Sequence, residues 1–536
     1  MHSVKKDIRK KRRRHDYHLR MILVVLAFVL ETLLFVGICF LSTIIVTFDE
    51  YLITFSAILA IFNLILTLFI FNTRAQINYK MSWLAVIHIF PFFGGVIYIL
   101  YAHKITTKRQ KRKKFDPINN FLSKNKGDST ELLEKLKTEN SDAYNIAKFA
   151  DNSHFDIYQN TKFNYFKLGE EGFEQILLDL KKAKKFIFIE FFIIEYGLMF
   201  NSIYEILLEK LKEGVEIRFI FDDFGCSTKV PSNFQKLLRN DGIDAYAFNR
   251  ISPTMNIRQN ARDHRKIIVI DGIIGYTGGC NLADEYINKV QRFGHWKDNF
   301  LRIEGEAVEG LTKIFLSMYQ VVSKKFDEDI SKFLYKANFK ELGESKIKEL
   351  ASIKSYVQPI ADKPFDKEDI HQSILLSMIS RAKKSIYIST PYLIIDDALI
   401  SALGNAARSG VDVNIITPGI PDKKMVYQAT KSHYFSLLVK KVNIFEYTPG
   451  FNHEKAVVID DDIALSGTCN LDYRSLFLHF EDTLLIINDK EIIKMKESLQ
   501  KMCEISKKQK TSDYGDNNNV FVRLYWSILK VFAPLL

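Results

Sequence analysis

Three long apolar stretches open the chain, and a different pattern follows them. Met21–Val46 is a run broken only by Glu31, and Leu52–Asn72 is a second. Each is long enough to cross a hydrocarbon core of ~30 Å as a helix. Two long runs in succession without a small-residue cleavage site are unlike a removable leader. A third run, Ser82–Tyr101, carries Pro91 and the Gly94–Gly95 pair near its middle. It reads as a re-entrant or interfacial hairpin, with an ordinary third span as the alternative. Residues 1–114 are thus expected to form a membrane anchor, with spans at about 21–46 and 52–72 and the re-entrant or third segment at about 82–101. Residues 115–150 turn polar and helical and read as a connector.

Beyond the connector the pattern repeats. In one half, EEGFEQILLDLKKA leads into KKFIFIEFFII, and YEILLEKLKEG leads into VEIRFIFDD. In the other, HQSILLSMISRA leads into KKSIYISTPYLI, and ALISALGNAARSG leads into VDVNIITPG. Apolar residues three and four apart predict helices, and the short Ile/Val/Phe runs predict strands buried on both faces. The alternation predicts an α/β fold in two similar domains, 151–340 and 341–536. The closing stretch, FVRLYWSILKVFAPLL, could lie on a membrane or pack on the body.

Charge sharpens this picture. The 536-residue chain has a net charge of +12, but residues 1–114 carry +13 and the remainder −1. The basic groups sit at 1–20 and 104–114, beside apolar runs. That arrangement points to a membrane surface, and the near-neutral body argues against nucleic acid as a partner. The N-terminal cluster places the N-terminus, and with it the globular halves, on the cytoplasmic side. Five scattered cysteines with no CxxC suit reduced thiols there and exclude a disulfide scaffold.

One spacing occurs in both halves. DHRKIIVIDGIIGYTGGCN holds His264, Lys266, Asp271, Gly278, Gly279 and Asn281. NHEKAVVIDDDIALSGTCN holds His453, Lys455, Asp460, Gly467, Thr468 and Asn470. The shared form is H-x-K-x4-D-x6-G-[GT]-x-N, and chance would give H-x-K-x4-D about 0.1 times in such a chain. Residues i and i+2 of a strand share a face, so each His and Lys project together at the start of a buried strand. The Asp falls where that strand ends, and a return strand brings the small residues and the Asn back beside them. The motif set is His264, Lys266, Asp271, His453, Lys455 and Asp460, with the two aspartates expected to brace it. Asn281, Asn470, Gly279 and Thr468 are expected to meet substrate.

This combination of groups suits a phosphodiester. There is no HExxH, no Cys/His cluster and no P-loop, so neither a metal nor a nucleotide cofactor is expected. Ammonium and carboxamide groups would hold nonbridging oxygens and offset charge in the transition state. One His would attack phosphorus while the other protonates the leaving alcohol and then deprotonates the incoming one. The symmetric spacing does not say which His does which.

The doubled motif resembles the phospholipase D superfamily. YFKLGEEGFE, GYTGGCNLADEY, HWKDNFLRIEG, EYTPGFNHEK and GTCNLDYRSLFLHFE narrow the resemblance to bacterial cardiolipin synthases, as does WLAVIHIFPFFGGVIYILY. It implies two mixed-sheet sandwich domains forming a pseudo-dimer behind N-terminal transmembrane helices, with one active site between the halves. It implies His264 as nucleophile, with a phosphohistidine intermediate, and His453 as acid/base. Asp298 and Glu481 become candidates to orient a histidine across the interface, and Glu190 a weaker one. It also implies membrane phospholipids as partners, phosphatidylglycerol serving as donor and acceptor in a bacterial cytoplasmic membrane. A phospholipase D hydrolase, a phosphatidylserine synthase, a nuclease and an inactive binding protein are the rival readings. Lys440-Lys441 stands where a Gly-containing turn is expected. Oligomeric state stays open.

Overall fold

The computed structural model describes residues 49–73, 75–99, 116–250, 261–326, 328–364, 368–515 and 518–535. The expected first span, Met21–Val46, and the basic blocks at 1–20 and 104–114 lie outside them.

Both halves fold to one plan. The first holds β1 (Thr161–Phe166), β2 (Phe186–Phe191), β3 (Glu216–Asp222), β4 (Asp244–Phe248), β5 (Lys266–Ile270), β6 (Ile274–Gly278), β7 (His295–Lys297) and β8 (Phe300–Gly305). The second holds β9 (Tyr356–Asp362), β10 (Ser385–Ser389), β11 (Asp412–Pro418), β12 (Asn443–Tyr447), β13 (Gly450–Asn452), β14 (Ala456–Ile459), β15 (Ile463–Gly467), β16 (Glu481–Ile487) and β17 (Lys507–Lys508). The sheet orders are β1-β8-β6-β5-β2-β3-β4 and β9-β16-β15-β14-β10-β11-β12-β17. They match strand for strand, with β17 added at one edge, so the repeat in the text is a repeat of fold.

The sheets are mixed because their connections differ. Helices Leu198–Lys212 and Asp397–Arg408 return the chain for parallel pairing of β2 with β3 and of β10 with β11. Tight turns after β5 and β14 permit only antiparallel partners, β6 and β15. At those turns Asp271 and Asp460 adopt φ of 54° and 51°.

A shared core joins the two sheets. Helix Val308–Ser323 places Val308, Leu311, Ile314, Phe315 and Met318 at helical spacing, all buried in one cluster with residues of both sheets. Each such side chain contributes roughly 1.5–3 kcal/mol on burial. A second cluster covers the outer face of the first sheet. The polar stretch read as a connector forms helices Asp116–Lys124, Thr130–Glu139 and Ser141–Asn152, whose Ile118, Leu122, Leu136 and Ile146 are buried in the shared core.

The second apolar run forms helix Asp49–Phe71, of which Ile53–Phe71 is long and apolar enough to cross a membrane. Among the described residues no other helix meets that length and hydropathy. The third run is broken into Ile77–Ile89 and Phe93–Ile97, so a single straight third span does not form. Its longer piece has 13 residues and rises about 20 Å. Pro91 disfavours helical backbone at the residue before it, and Phe90 leaves the helical region, with φ −121° and ψ 77°. A Cβ on Gly94 would meet the Val86 backbone and one on Gly95 the Phe62 ring, so these glycines let the short helix fold back. Asn63 Nδ2 donates to Pro91 O at 3.0 Å, which ties the long apolar helix to the break.

Candidate active site

The halves meet through two short pairings related by the repeat. β7 pairs in parallel with β13, setting Trp296 opposite Phe451 and Lys297 opposite Asn452. Its counterpart is a parallel bridge between Asp263 and Phe480. Through these contacts the His453 N–H donates to Lys297 O at 2.7 Å, and the His264 N–H to Phe480 O at 2.9 Å. Asp298 follows Lys297, and Glu481 follows Phe480. Each histidine is therefore delivered to the acid of the opposite half.

The side chains complete the crossing. His264 Nδ1 lies 2.8 Å from Glu481 Oε2, and His453 Nδ1 lies 2.6 Å from Asp298 Oδ2. An ionised carboxylate only accepts, so each acid favours the tautomer with the hydrogen on Nδ1 and the lone pair on Nε2. Lys455 Nζ lies along the edge of the His453 ring, 2.8 Å from Nδ1 and 3.2 Å from Nε2. Lys266 Nζ donates to His264 O at 2.6 Å, and Lys455 Nζ donates to His453 O. All four histidine and lysine residues are buried.

Burial sets the charge states. It pulls both imidazoles well below the ordinary histidine range, and the Lys266 and Lys455 charges reinforce it. Burial also brings Lys266 down to about 8, against the pull of Glu481, and lowers Lys455. It lifts Asp298 to about 6, opposed by Lys455. The result is two neutral, carboxylate-oriented imidazoles beside two ammonium groups, a set able to attack and hold an anionic phosphorus centre.

Several expected residues take supporting places. Asp271 and Asp460 stand at the far ends of β5 and β14, where they hold the backbone at the start of the neighbouring strand. Asp271 accepts from the N–H groups of Lys184, Lys185 and Phe186, and Asp460 from those of Lys383, Lys384 and Ser385. Gly279 and Thr468, expected on substrate, serve the acids instead. A Cβ on Gly279 would overlap Asp298 Oδ1, and the Thr468 hydroxyl donates to Glu481 Oε2 at 2.6 Å. Asn281 accepts from Ile193 N–H at 3.0 Å and donates to Tyr286 Oη at 2.7 Å. Asn470 donates to Asp472 at 3.1 Å. Glu190 is buried 3.7 Å from Arg265 Nη1, away from the imidazoles; burial, then the Asp263 charge, raise its carboxyl well above the ordinary range.

Other neighbours carried no signal in the motif. His453 packs among Tyr286, Trp296 and Phe451, with centroids 5.4–5.6 Å away. His264 meets Phe192 at 5.0 Å and His479 at 5.7 Å. Trp296 and His479 each stand two residues before an orienting acid, a correspondence visible once HWKD and LHFE are aligned on that acid. Lys423, on a loop, adds positive charge that lowers both imidazoles. One cluster of metal-type donors occurs among the described residues: His264, His479 and Glu481, with ligand atoms within 4.8 Å of one another. It coincides with the His264–Glu481 hydrogen bond.

The comparisons agree with this geometry. The family described as "Cardiolipin synthase, PLD-like domain" matches residues 176–319 and 375–503, one segment per half. A cardiolipin synthase of Alkalihalophilus pseudofirmus is 32% identical over 88% of this chain and 91% of its own. One of Staphylococcus aureus (strain Mu50) is 34% identical over 87% of this chain and 93% of its own. The solved phosphatidylserine synthase of Haemophilus influenzae Rd KW20 is 16% identical with a TM-score of 0.51, covering 73% of this chain and 97% of that one, a likeness of fold. Two matched motifs, a repeated fold and relatives spanning nearly the whole chain lead to one assignment: the chain belongs to the cardiolipin synthases of the phospholipase D superfamily.

Proposed function

We propose that this chain makes cardiolipin at the membrane by transferring a phosphatidyl group from one phosphatidylglycerol to another. His264 Nε2 forms a bond to phosphorus as the P–O bond to the glycerol headgroup breaks. His453 Nε2–H protonates the departing glycerol oxygen. The terminal hydroxyl of a second phosphatidylglycerol then gives its proton to His453. Its oxygen bonds to phosphorus as the P–N bond breaks, which restores His264. An anionic phosphate between Lys266 and Lys455 offsets the lysine charge that reinforces burial in keeping the imidazoles neutral, so His453 can take up the proton it delivers. One phosphodiester replaces another, and no nucleotide is consumed.

The observation that carries this reading is the crossed pairing of His264 with Glu481 and His453 with Asp298. It gives two equivalent imidazoles at one interface, as an attack and a proton transfer require. Helix Ile53–Phe71 would hold the site beside its substrates, and the basic segments would draw anionic lipid to it. The test uses the full-length protein in phosphatidylglycerol vesicles, with His264→Ala and His453→Ala as controls. Equal amounts of cardiolipin and glycerol, absent in both controls, support the proposal. Phosphatidic acid without cardiolipin would assign water as acceptor and overturn it.

A further inference from the structure

We infer that the C-terminal helix, Val520–Phe532, lies in the lipid interface and ties the catalytic body to the membrane, an inference that rests on the membrane reading above. The helix carries one apolar stripe toward the body and a second away from it, with exposed Arg523, Ser527 and Lys530 along a polar strip between them. Its inner face is used: Leu529 and Ala533 pack with Ile394, Ala429 and Tyr473, and Trp526 Nε1 donates to Gln428 at 2.9 Å. Its outer face is bare. Phe521 is 75% exposed, Leu524 58% and Ile528 47%, with Val520, Tyr525 and Val531 exposed beside them. Phe521, Leu524, Tyr525 and Ile528 follow the i, i+3, i+4, i+7 rule and form one stripe. A helix lying against a soluble body would turn polar residues outward there.

The occupant follows from what the stripe adjoins. The Ser82 hydroxyl donates to Val531 O, and Leu535 packs against the cluster of Leu66, Ile70, Trp83, Leu84 and Ile87. That cluster includes the helix long enough to cross a membrane, whose Ile58, Ile61, Leu64, Ile65 and Leu68 are exposed. The bare stripe is thus continuous with a surface suited to acyl chains. Exposed Tyr525 on the apolar stripe, with Arg523 and Lys530 on the polar strip beside it, matches an interfacial amphipathic helix. On its inner side the helix touches Tyr473, the first residue of helix Tyr473–Phe477, three positions beyond Asn470. Lipid contact is therefore applied one residue layer from the second motif loop.

The test introduces p-benzoylphenylalanine at position 521, 524 or 528 of the full-length protein, with position 212 on helix Leu198–Lys212 as an exposed control. The protein is irradiated in vesicles of phosphatidylcholine and phosphatidylglycerol. Lipid adducts at the three helix positions and none at the control are expected. Adducts to a second copy of the chain, or no lipid adduct, would overturn the inference. A second arm combines Leu524→Asp with Ile528→Asp. The vesicle lipid concentration giving half-maximal rate should rise about tenfold, as interfacial binding scales with buried apolar area. The rate on monomeric short-chain phosphatidylglycerol should hold. Equal loss on both substrates would mean that the helix only props the body, and would also overturn it. If the parent protein makes no cardiolipin from either lipid, the transfer reading fails while the adducts still decide the surface.

Discussion

Replacing Gly279 with alanine should push Asp298 off His453. The backbone at Gly279 has no left-handed φ, so alanine is conformationally acceptable there. The cost falls on the neighbour: the new Cβ would overlap Asp298 Oδ1 and sit 2.8 Å from its Cγ. Asp298 must move, and the 2.6 Å contact to His453 Nδ1 must open. A hydrogen bond to a charged group contributes about 1.5–3 kcal/mol, so kcat should fall roughly 10- to 150-fold. The assay is the initial rate of cardiolipin formation from phosphatidylglycerol vesicles, with near-ultraviolet circular dichroism reporting the fold. A double-mutant cycle isolates the cause. In an Asp298→Ala background the added Gly279→Ala should lower the rate by less than about threefold, because the group that it displaces is gone. Losses that multiply instead would show that Gly279 matters for another reason, and the reasoning would fail.

Three further outcomes follow from the same geometry. Thr468→Val removes the hydroxyl that fixes Glu481, and should reduce kcat roughly tenfold while Thr468→Ser stays near the parent; a Val variant at full rate would dismiss that role. Asp271→Ala strips the acceptor from three backbone N–H groups at a turn of φ 54°, and should lower stability by about 2–4 kcal/mol in urea titration while leaving the rate of the folded fraction unchanged. The pH profile of kcat/KM, which reports the free enzyme, should carry two limbs. Asp298, lifted to about 6, loses its charge as pH falls through that value and releases His453. Lys266, lowered to about 8, loses its charge as pH rises through that value and no longer attracts phosphate. The rate should therefore fall below about 6 and above about 8; Asp298→Asn should lack the acid limb, and a profile flat to pH 9.5 would refute the lysine assignment.

The motif and the repeat were legible because both are local: a histidine and a lysine two apart, an aspartate at the strand end, a small residue on the return strand. The same locality hid the rest. Asp263 pairs with Phe480 across 217 residues, and no spacing within either half announces that crossing. Resemblance points to the acids, whereas nothing in the sequence ties Gly279 and Thr468 to them, since smallness looks alike whether it admits a ligand or a carboxylate. Lys423 sits on a loop with no periodic signal. His479 occupies the place that Trp296 holds in the other half, and its chemistry shows only when the rings are seen together. In the third apolar run Pro91 marked the break, but the docking of Phe93–Ile97 depends on Val86 and Phe62, which composition does not connect.

The reciprocal anchoring of the two histidines has a consequence for loss of activity. Each half supplies the backbone acceptor and the carboxylate that position the other's imidazole, so disorder in either half disables both reactive nitrogens together. A half expressed alone would hold a complete H-x-K-x4-D text and an unoriented ring. Heating should then erase catalysis in one step that coincides with the earliest melting of either sheet, with no partially active stage between. The chemistry is shared property of the joint, and the weaker half sets its working temperature.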